Sequence, residues 1–362
     1  MAATLTRKVG KKTKKTKKMV KKRSNRASSV TRKKKPVAKK KATKSSAGKI
    51  TPRAEHQILV TGSGGRLGSE IRKFLLNDDD VSILHSTRET MNLRNFEQVR
   101  DTIVSLRPDA VINTAAITDG VRSELSFDSR QRCWEVNAQA VDNLVKICAV
   151  EGIPLIHVSD ADVFALPPTR IEGYRENDPV GACNCYGSSK IAGELAMMNV
   201  GQTMLPEIWD SHFRYWLVRT GTLFGGQESH VSWPELTRAR LRTKRSGELM
   251  APTDAVRSFT YTPHLAQALV WIAKHTKELV SGVNHVANQG HASYYEMARH
   301  IAIHTANYGF KVRASTAEEF EPNYALRKDY LPRFTALNCD KWNDVAPFKI
   351  PHWREAVAEW LD

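Results

Sequence analysis

From Gln57 onward, short apolar runs alternate with stretches of helical period. The runs Gln57–Thr61, Val81–His85, Ala110–Asn113, Pro154–Ser159 and Tyr215–Arg219 are four to six residues long. Mostly apolar throughout, they read as strands buried on both faces. Between them, Leu67–Leu76, Phe96–Leu106, Arg130–Val150 and Ser188–Asn199 repeat apolar residues every three or four positions, as helices with one buried face do. Strand and helix in strict alternation predict an α/β fold, a parallel sheet doubly wound by helices. After Arg219 the pattern loosens. Helices are predicted at Trp233–Thr243, His264–His275, Tyr294–Tyr308 and Trp353–Leu361, with short strands between, forming a smaller C-terminal lobe.

The chain ahead of this pattern has no such periodicity. Residues 1–54 hold 22 Lys and Arg and no Asp or Glu, and Lys8–Lys49 has no aromatic residue. Such a segment cannot bury enough apolar surface to offset the entropy of folding, so a disordered Lys-rich tail is expected. The overall charge of +17 belongs to it, because from Glu55 on 33 basic residues face 38 acidic ones, a net of about −5. A run such as Lys11–Lys18 would hold nucleic acid or another polyanion by counterion release, without sequence preference. Ser24, Ser28 and Ser29 lie among its cations, where phosphorylation would weaken that contact. No apolar run approaches a membrane span and no signal-peptide core follows Met1. A cytoplasmic protein with no membrane contact is expected, the tail allowing nuclear or nucleoid association. The five cysteines, odd in number and scattered, point to free thiols in a reducing compartment.

Candidate chemistry begins directly after the first strand. Thr61-Gly62-Ser63-Gly64-Gly65-Arg66-Leu67-Gly68 is a glycine turn opening a helix, the arrangement that lets a diphosphate approach backbone N–H groups. Gly62 permits the turn, Gly65 the close approach, and Gly68 tight packing of helix on strand. In this α/β setting it predicts a Rossmann dinucleotide site. The second strand ends in His85-Ser86-Thr87-Arg88, where an NAD-selective site places an acidic residue. Hydroxyls and a guanidinium suit a 2′-phosphate better, with Arg66 as a second cation. NADP is therefore expected, NAD being the alternative. The domains follow: residues 55–225 bind NAD(P), and 226–362 are mainly a substrate-binding lobe with some return to the first.

Tyr186 and Lys190 stand at i and i+4 of a predicted helix, which puts phenol and ammonium on one face. A nearby cation lowers a phenol's pKa, so that it can exchange a proton with a carbonyl or alcohol. Taken with the glycine turn, Asn113-Thr114-Ala115-Ala116 after a strand and Asn137 in the next helix, the pair resembles the extended short-chain dehydrogenase/reductases. Within them the chain is most similar to the dTDP-4-dehydrorhamnose reductases and to their relative, the regulatory beta subunit of methionine adenosyltransferase. His157–Phe164, Tyr186–Glu194, Arg219–Phe224, His285–Ala287 and Leu337–Lys341 carry the likeness further, so that it covers Gln57 to Leu361. The resemblance implies hydride transfer from the nicotinamide to a 4-keto group of a nucleotide-linked deoxysugar. Tyr186 would protonate the nascent alkoxide, Lys190 would tune Tyr186 and hold the ribose, and a Ser or Thr hydroxyl would polarise the carbonyl. The cofactor is expected at Gly62, Gly65, Arg66, Leu67, Gly68, Ser86, Thr87, Arg88, Asn92, Leu93, Ala115, Ala116, Ile117, Tyr186 and Lys190. A nucleotide-sugar substrate and a homodimer complete the expectation.

Two positions depart from the family pattern. Asp160 stands where the hydroxyl should be, and a carboxylate beside a developing oxyanion repels it unless protonated. Ser159 offers a hydroxyl one residue earlier, yet strand alternation points it to the other face. Thr222 stands where the rhamnose reductases carry a Trp bordering the sugar. Asp160 and Ser159 thus join Tyr186 and Lys190 as catalytic candidates. Asp160 also keeps open a non-catalytic NADP-binding regulatory subunit, and a related epimerase or dehydratase would use the same Tyr–Lys chemistry. His300 and His304 have metal-pair spacing without a recognisable third ligand, Asp160 and Asp162 share strand parity, and Cys183 and Cys185 are close enough in sequence to make a thiol pair in principle. Packing, the nicotinamide site and free thiols account for these, and no metal is expected.

Overall fold

The structure is a computed structural model that describes residues 56–165, 172–200, 213–226, 232–243, 246–306, 309–319 and 332–362. The expectations for the Lys-rich segment 1–54 and for Tyr308 lie outside the described residues. Five parallel strands lead the chain: β1 (His56–Thr61), β2 (Val81–His85), β3 (Ala110–Asn113), β4 (Leu155–Asp160) and β5 (Tyr215–Thr220). A sixth, Gly282–His285, pairs with β5, giving the order Gly282–His285, β5, β4, β3, β1, β2. Every pairing is parallel. The order reverses between β1 and β3, and beyond the carboxyl ends of strands at such a reversal a crevice forms.

Alternation along each strand fills both faces. Ile58, Val60, Ile112, Ile156, Trp216 and Val218 pack under α1 (Arg66–Leu76) and the helix Thr262–Lys274. Leu59, Val111, Leu155 and Leu217 pack on the other side, under α2 (Phe96–Leu106) and the long helical stretch after β3. The Rossmann architecture is thus present, with a further core built by Phe224, Trp233, Phe259, Met297, Phe310 and Trp353.

The segment expected as one helix, Arg130–Val150, is helical throughout but contains a π-helical irregularity. After α3 (Gly120–Glu124) come α4 (Phe127–Trp134), a π-helical turn at Glu135–Gln139, and α5 (Ala140–Glu151). The extra residue per turn swings Asn137 inward and brings its carbonyl against Gly193 of α6 (Cys185–Met198), where any Cβ would collide with it. Among the described residues, no helix is long and apolar enough to cross a membrane.

Candidate active site

β1 runs into Gly62 at φ +67°, a left-handed conformation strained for any side chain, and a Cβ there would lie 2.7 Å from the Ala115 nitrogen. At Gly68 a Cβ would lie 2.7 Å from the Ser63 Cα. The turn, α1 and the end of β3 therefore close on one another only because these positions lack side chains. Asn95, Asp119, Ser126 and Asn184 cap α2, α3, α4 and α6 with side-chain oxygens, whereas α1, with Gly65 at its N-cap, has no side-chain cap. That leaves the positive end of α1 open to an anion, although the helix Thr262–Lys274 also lacks a side-chain cap.

The end of β2 is tied to this turn by Ser63, whose Oγ donates to the Ser86 carbonyl at 2.9 Å. Beyond it, Thr87 donates to Glu89 at 2.6 Å. Arg88 is exposed and, among the described residues, has no ion pair. Asn92 organises the next turn, its Oδ1 accepting from the Arg94 N–H, beside buried Leu93. Arg66 departs from expectation. Its guanidinium is buried against the helix Trp233–Thr243, donating to Glu235 Oε1 at 2.5 Å and to the Gly225 carbonyl at 3.3 Å. A guanidinium taken out of water needs a carboxylate, and Glu235 provides it. The side chain is therefore not a second cation beside Arg88, although its backbone still opens α1.

At the end of β3 a polar ladder crosses three strands: Thr61 donates to Asn113 Oδ1 at 2.5 Å, and Asn113 Nδ2 meets His157 Nδ1 at 2.9 Å. Burial holds His157 far below its usual pKa, hence neutral. Asn113 also accepts from the Ala115 N–H, setting the half-buried strip Ala115, Ala116 and Ile117. Asn137 on the π-turn clamps that strip, bonding both the N–H and the carbonyl of Ile117 at 2.9 Å.

Tyr186 and Lys190 both lie buried on α6, at 5% and 2% exposure. Lys190 Nζ donates to the Val158 carbonyl at 2.7 Å, and Tyr186 Oη donates to Asp160 Oδ2 at 3.0 Å. The other carboxylate oxygen, Oδ1, accepts from the Asp162 N–H at 2.8 Å, and Asp162 in turn pairs with Arg257 at 2.7 Å. Burial, then the nearby Asp162, pushes the Asp160 carboxyl up to about 7, and burial lowers Lys190 to about 8. Here the electrostatics differ from the sequence expectation. Burial, with Asp160 and Asp162 beside it, raises the Tyr186 phenol well above its ordinary range, where a lowering by Lys190 was expected. The phenol's direct partner is a carboxylate, and the ammonium is engaged by a carbonyl.

Ser159 stands elsewhere. Its hydroxyl donates to Glu194 Oε1 at 2.6 Å, two helical turns beyond Tyr186 on α6. Glu194 pairs with Arg219 at 2.7 Å, both side chains at most 3% exposed, and Arg219 also reaches the Glu176 carbonyl and His285 Nε2. Ser159 is thereby removed from the catalytic candidates, because strand alternation gives its oxygen to a buried ion pair. Sequence reasoning missed Glu194, Glu235 and Arg257, although an Arg inside an apolar strand, as in Val218-Arg219, signals that a partner must exist. His300 bonds the Arg354 carbonyl and packs against Trp353. All five cysteines are free, and burial pushes the Cys183 and Cys185 thiols up to about 11. Thr222 donates its N–H to the Ser258 carbonyl at 2.9 Å.

Residues 56–362 match the RmlD substrate binding domain family. The chain belongs to that family. Its RmlD relatives include the spore coat polysaccharide biosynthesis protein SpsK of Bacillus subtilis, 28% identical over 84% of this chain and 96% of that protein. Another is the dTDP-4-dehydrorhamnose reductase of Mycolicibacterium smegmatis, 29% identical over 84% of each chain. Among solved structures, the Bacillus anthracis dTDP-4-dehydrorhamnose reductase in complex with NADP superposes with a TM-score of 0.71 at 24% identity, covering 84% of this chain and 98% of that one. That last likeness speaks for the RmlD fold.

Proposed function

We propose that this chain is an NADPH-dependent reductase of a nucleotide-linked 4-keto-6-deoxysugar. The observation that carries the reading is Tyr186 one turn from Lys190 on α6 at the carboxyl end of β4, together with an α1 N-terminus after β1 that is walled by Gly62 and Gly68 and left without a side-chain cap. Family membership and the keto-sugar reductases among the relatives support it. The N–H groups of Arg66 and Leu67 would meet the diphosphate, and Ser86, Thr87 and Arg88 the 2′-phosphate. Asn92, Leu93, Ala115, Ala116 and Ile117 would flank the rest, with Lys190 on the nicotinamide ribose. Bound NADPH supplies the hydride. Tyr186 then gives its phenolic proton to the oxygen that was the keto oxygen, and Lys190 limits the charge left behind. The reading includes a second copy of the chain, for which Phe127 and Trp134, 78% and 43% exposed, offer an apolar face, and polyanion contact through residues 1–54.

One observation favours a second reading, a non-catalytic NADP-binding subunit: the Tyr186 hydroxyl is taken by Asp160, where the family pattern has a hydroxyl. The test is NADPH oxidation with dTDP- and UDP-linked 4-keto-6-deoxysugars, beside Tyr186→Phe. Turnover lost in the variant supports the reductase. Tight NADPH binding without turnover on any sugar supports the regulatory subunit.

A further inference from the structure

Five ionisable groups face one another at the end of β4, and their pairing is uneven. Asp162, on the turn after β4, takes the guanidinium of Arg257 from the strand Val256–Arg257 at 2.7 Å. Lys190, on α6, spends its ammonium on the Val158 carbonyl. Asp160 therefore has no direct cation among the described residues, only the Tyr186 phenol at 3.0 Å and the Asp162 N–H at 2.8 Å. A carboxyl so placed is far better accommodated neutral than charged. In the acid form its two oxygens separate in role. Oδ1 stays the acceptor for the Asp162 N–H, and Oδ2 carries a proton aimed at the place where Tyr186 ends.

We infer that Asp160 works as a carboxylic acid, its Oδ2–H donating to the keto oxygen alongside Tyr186, and that the Asp162–Arg257 pair sets the pH at which this donor is lost. The inference rests on the reductase reading. Two donors 3.0 Å apart can both reach one oxygen, as an oxyanion site requires. As hydride reaches the carbonyl carbon, the carbon–oxygen π bond opens and the oxygen takes the Tyr186 proton. The phenolate is restored by the Asp160 proton, and Asp160 by one from solvent, so that one solvent proton is consumed per alcohol formed. The departure of Asp160 from the family's hydroxyl is thus a replacement of one donor by another that titrates. Ionised, Asp160 would offer only acceptors and a repelling charge.

The test uses the full chain with two readouts. An infrared pH titration should show the carbonyl stretch of a protonated carboxyl that persists to about pH 7, is missing in Asp160→Asn, and is lost at lower pH in Asp162→Asn, where the neighbouring negative charge is gone. With NADPH and a turned-over keto sugar, wild-type kcat should fall about tenfold per pH unit above that point. Asp160→Asn, which keeps a donor N–H there but has no proton to pass to the phenolate, should be slower than wild type below that point and lose this fall. Absence of the carboxyl band across neutrality overturns the inference. So does a wild-type kcat that stays level through the same range, and in that case the reductase reading stands. If no protein turns over any sugar, the reductase reading fails, and the donor role with it, while the infrared titration still decides whether Asp160 holds its proton.

Discussion

Ser159 and Asp160 are neighbours on β4 and open onto two different environments. On the Ser159 side, the buried charges are paired: Glu194 and Arg219 form a buried pair, Ser159 bonds the carboxylate, and His285, lowered to about 3 by burial and then by Arg219, stays neutral and accepts from the guanidinium. On the Asp160 side, two carboxylates share the ground with an arginine bonded to one of them and a lysine bonded to a carbonyl. A closed network has nothing left to give to a ligand. The open one keeps a phenol and a carboxyl whose protonation depends on their surroundings.

The largest effect should come from breaking the closed side. Arg219→Met leaves Glu194 charged and uncompensated, and should cost about 3–5 kcal/mol of unfolding free energy in a urea titration. A loss below about 1 kcal/mol would mean that the pair is not what holds β4, β5 and α6 together. On the open side, Tyr186→Phe should lower turnover by roughly 10²–10⁴ while NADPH still binds. Equal loss of NADPH binding would make the phenol a structural prop.

Asp160→Asn should sharpen the contrast by stabilising the protein. The Asp160 pKa is raised above its ordinary 3.8 to about 7, so in that interval the folded state holds a proton that the unfolded state has released. Folding stability contributed by this group therefore declines as pH rises through the interval and levels off above it. The gain in Tm of the Asn variant should be absent below pH 3.8, grow towards pH 7 and then stay constant. A gain that shrinks with rising pH would contradict the assignment. The smallest effect concerns cations. Arg66 is closed by Glu235, whereas Arg88 is exposed. Arg88→Ala should weaken NADPH about tenfold and leave NADH unchanged, as losing one charged hydrogen bond would.

Much of this was legible in the chain because its causes are local. β2 and β3, the helix Phe96–Leu106 and the helices Trp233–Thr243 and Trp353–Leu361 have the boundaries that apolar period and turn residues imply. The glycine turn and the Tyr186–Lys190 spacing are local too. The ion pairs were not, since Ser159 meets Glu194 across 35 positions, Asp162 meets Arg257 across 95, and Arg66 meets Glu235 across 169. No periodicity in a single chain assigns such partners. The π-turn at Asn137 escaped for a related reason, because its helix keeps an ordinary apolar repeat and the irregularity answers a contact with α6.

The most direct measurement is the loss of NADPH absorbance when the full chain meets a dTDP-linked 4-keto-6-deoxysugar, with Tyr186→Phe as its control. The account predicts steady oxidation by the wild type, slowed by roughly 10²–10⁴ in the variant although both bind NADPH. Oxidation at the same rate in both, or none in a wild type that binds NADPH tightly, would contradict it.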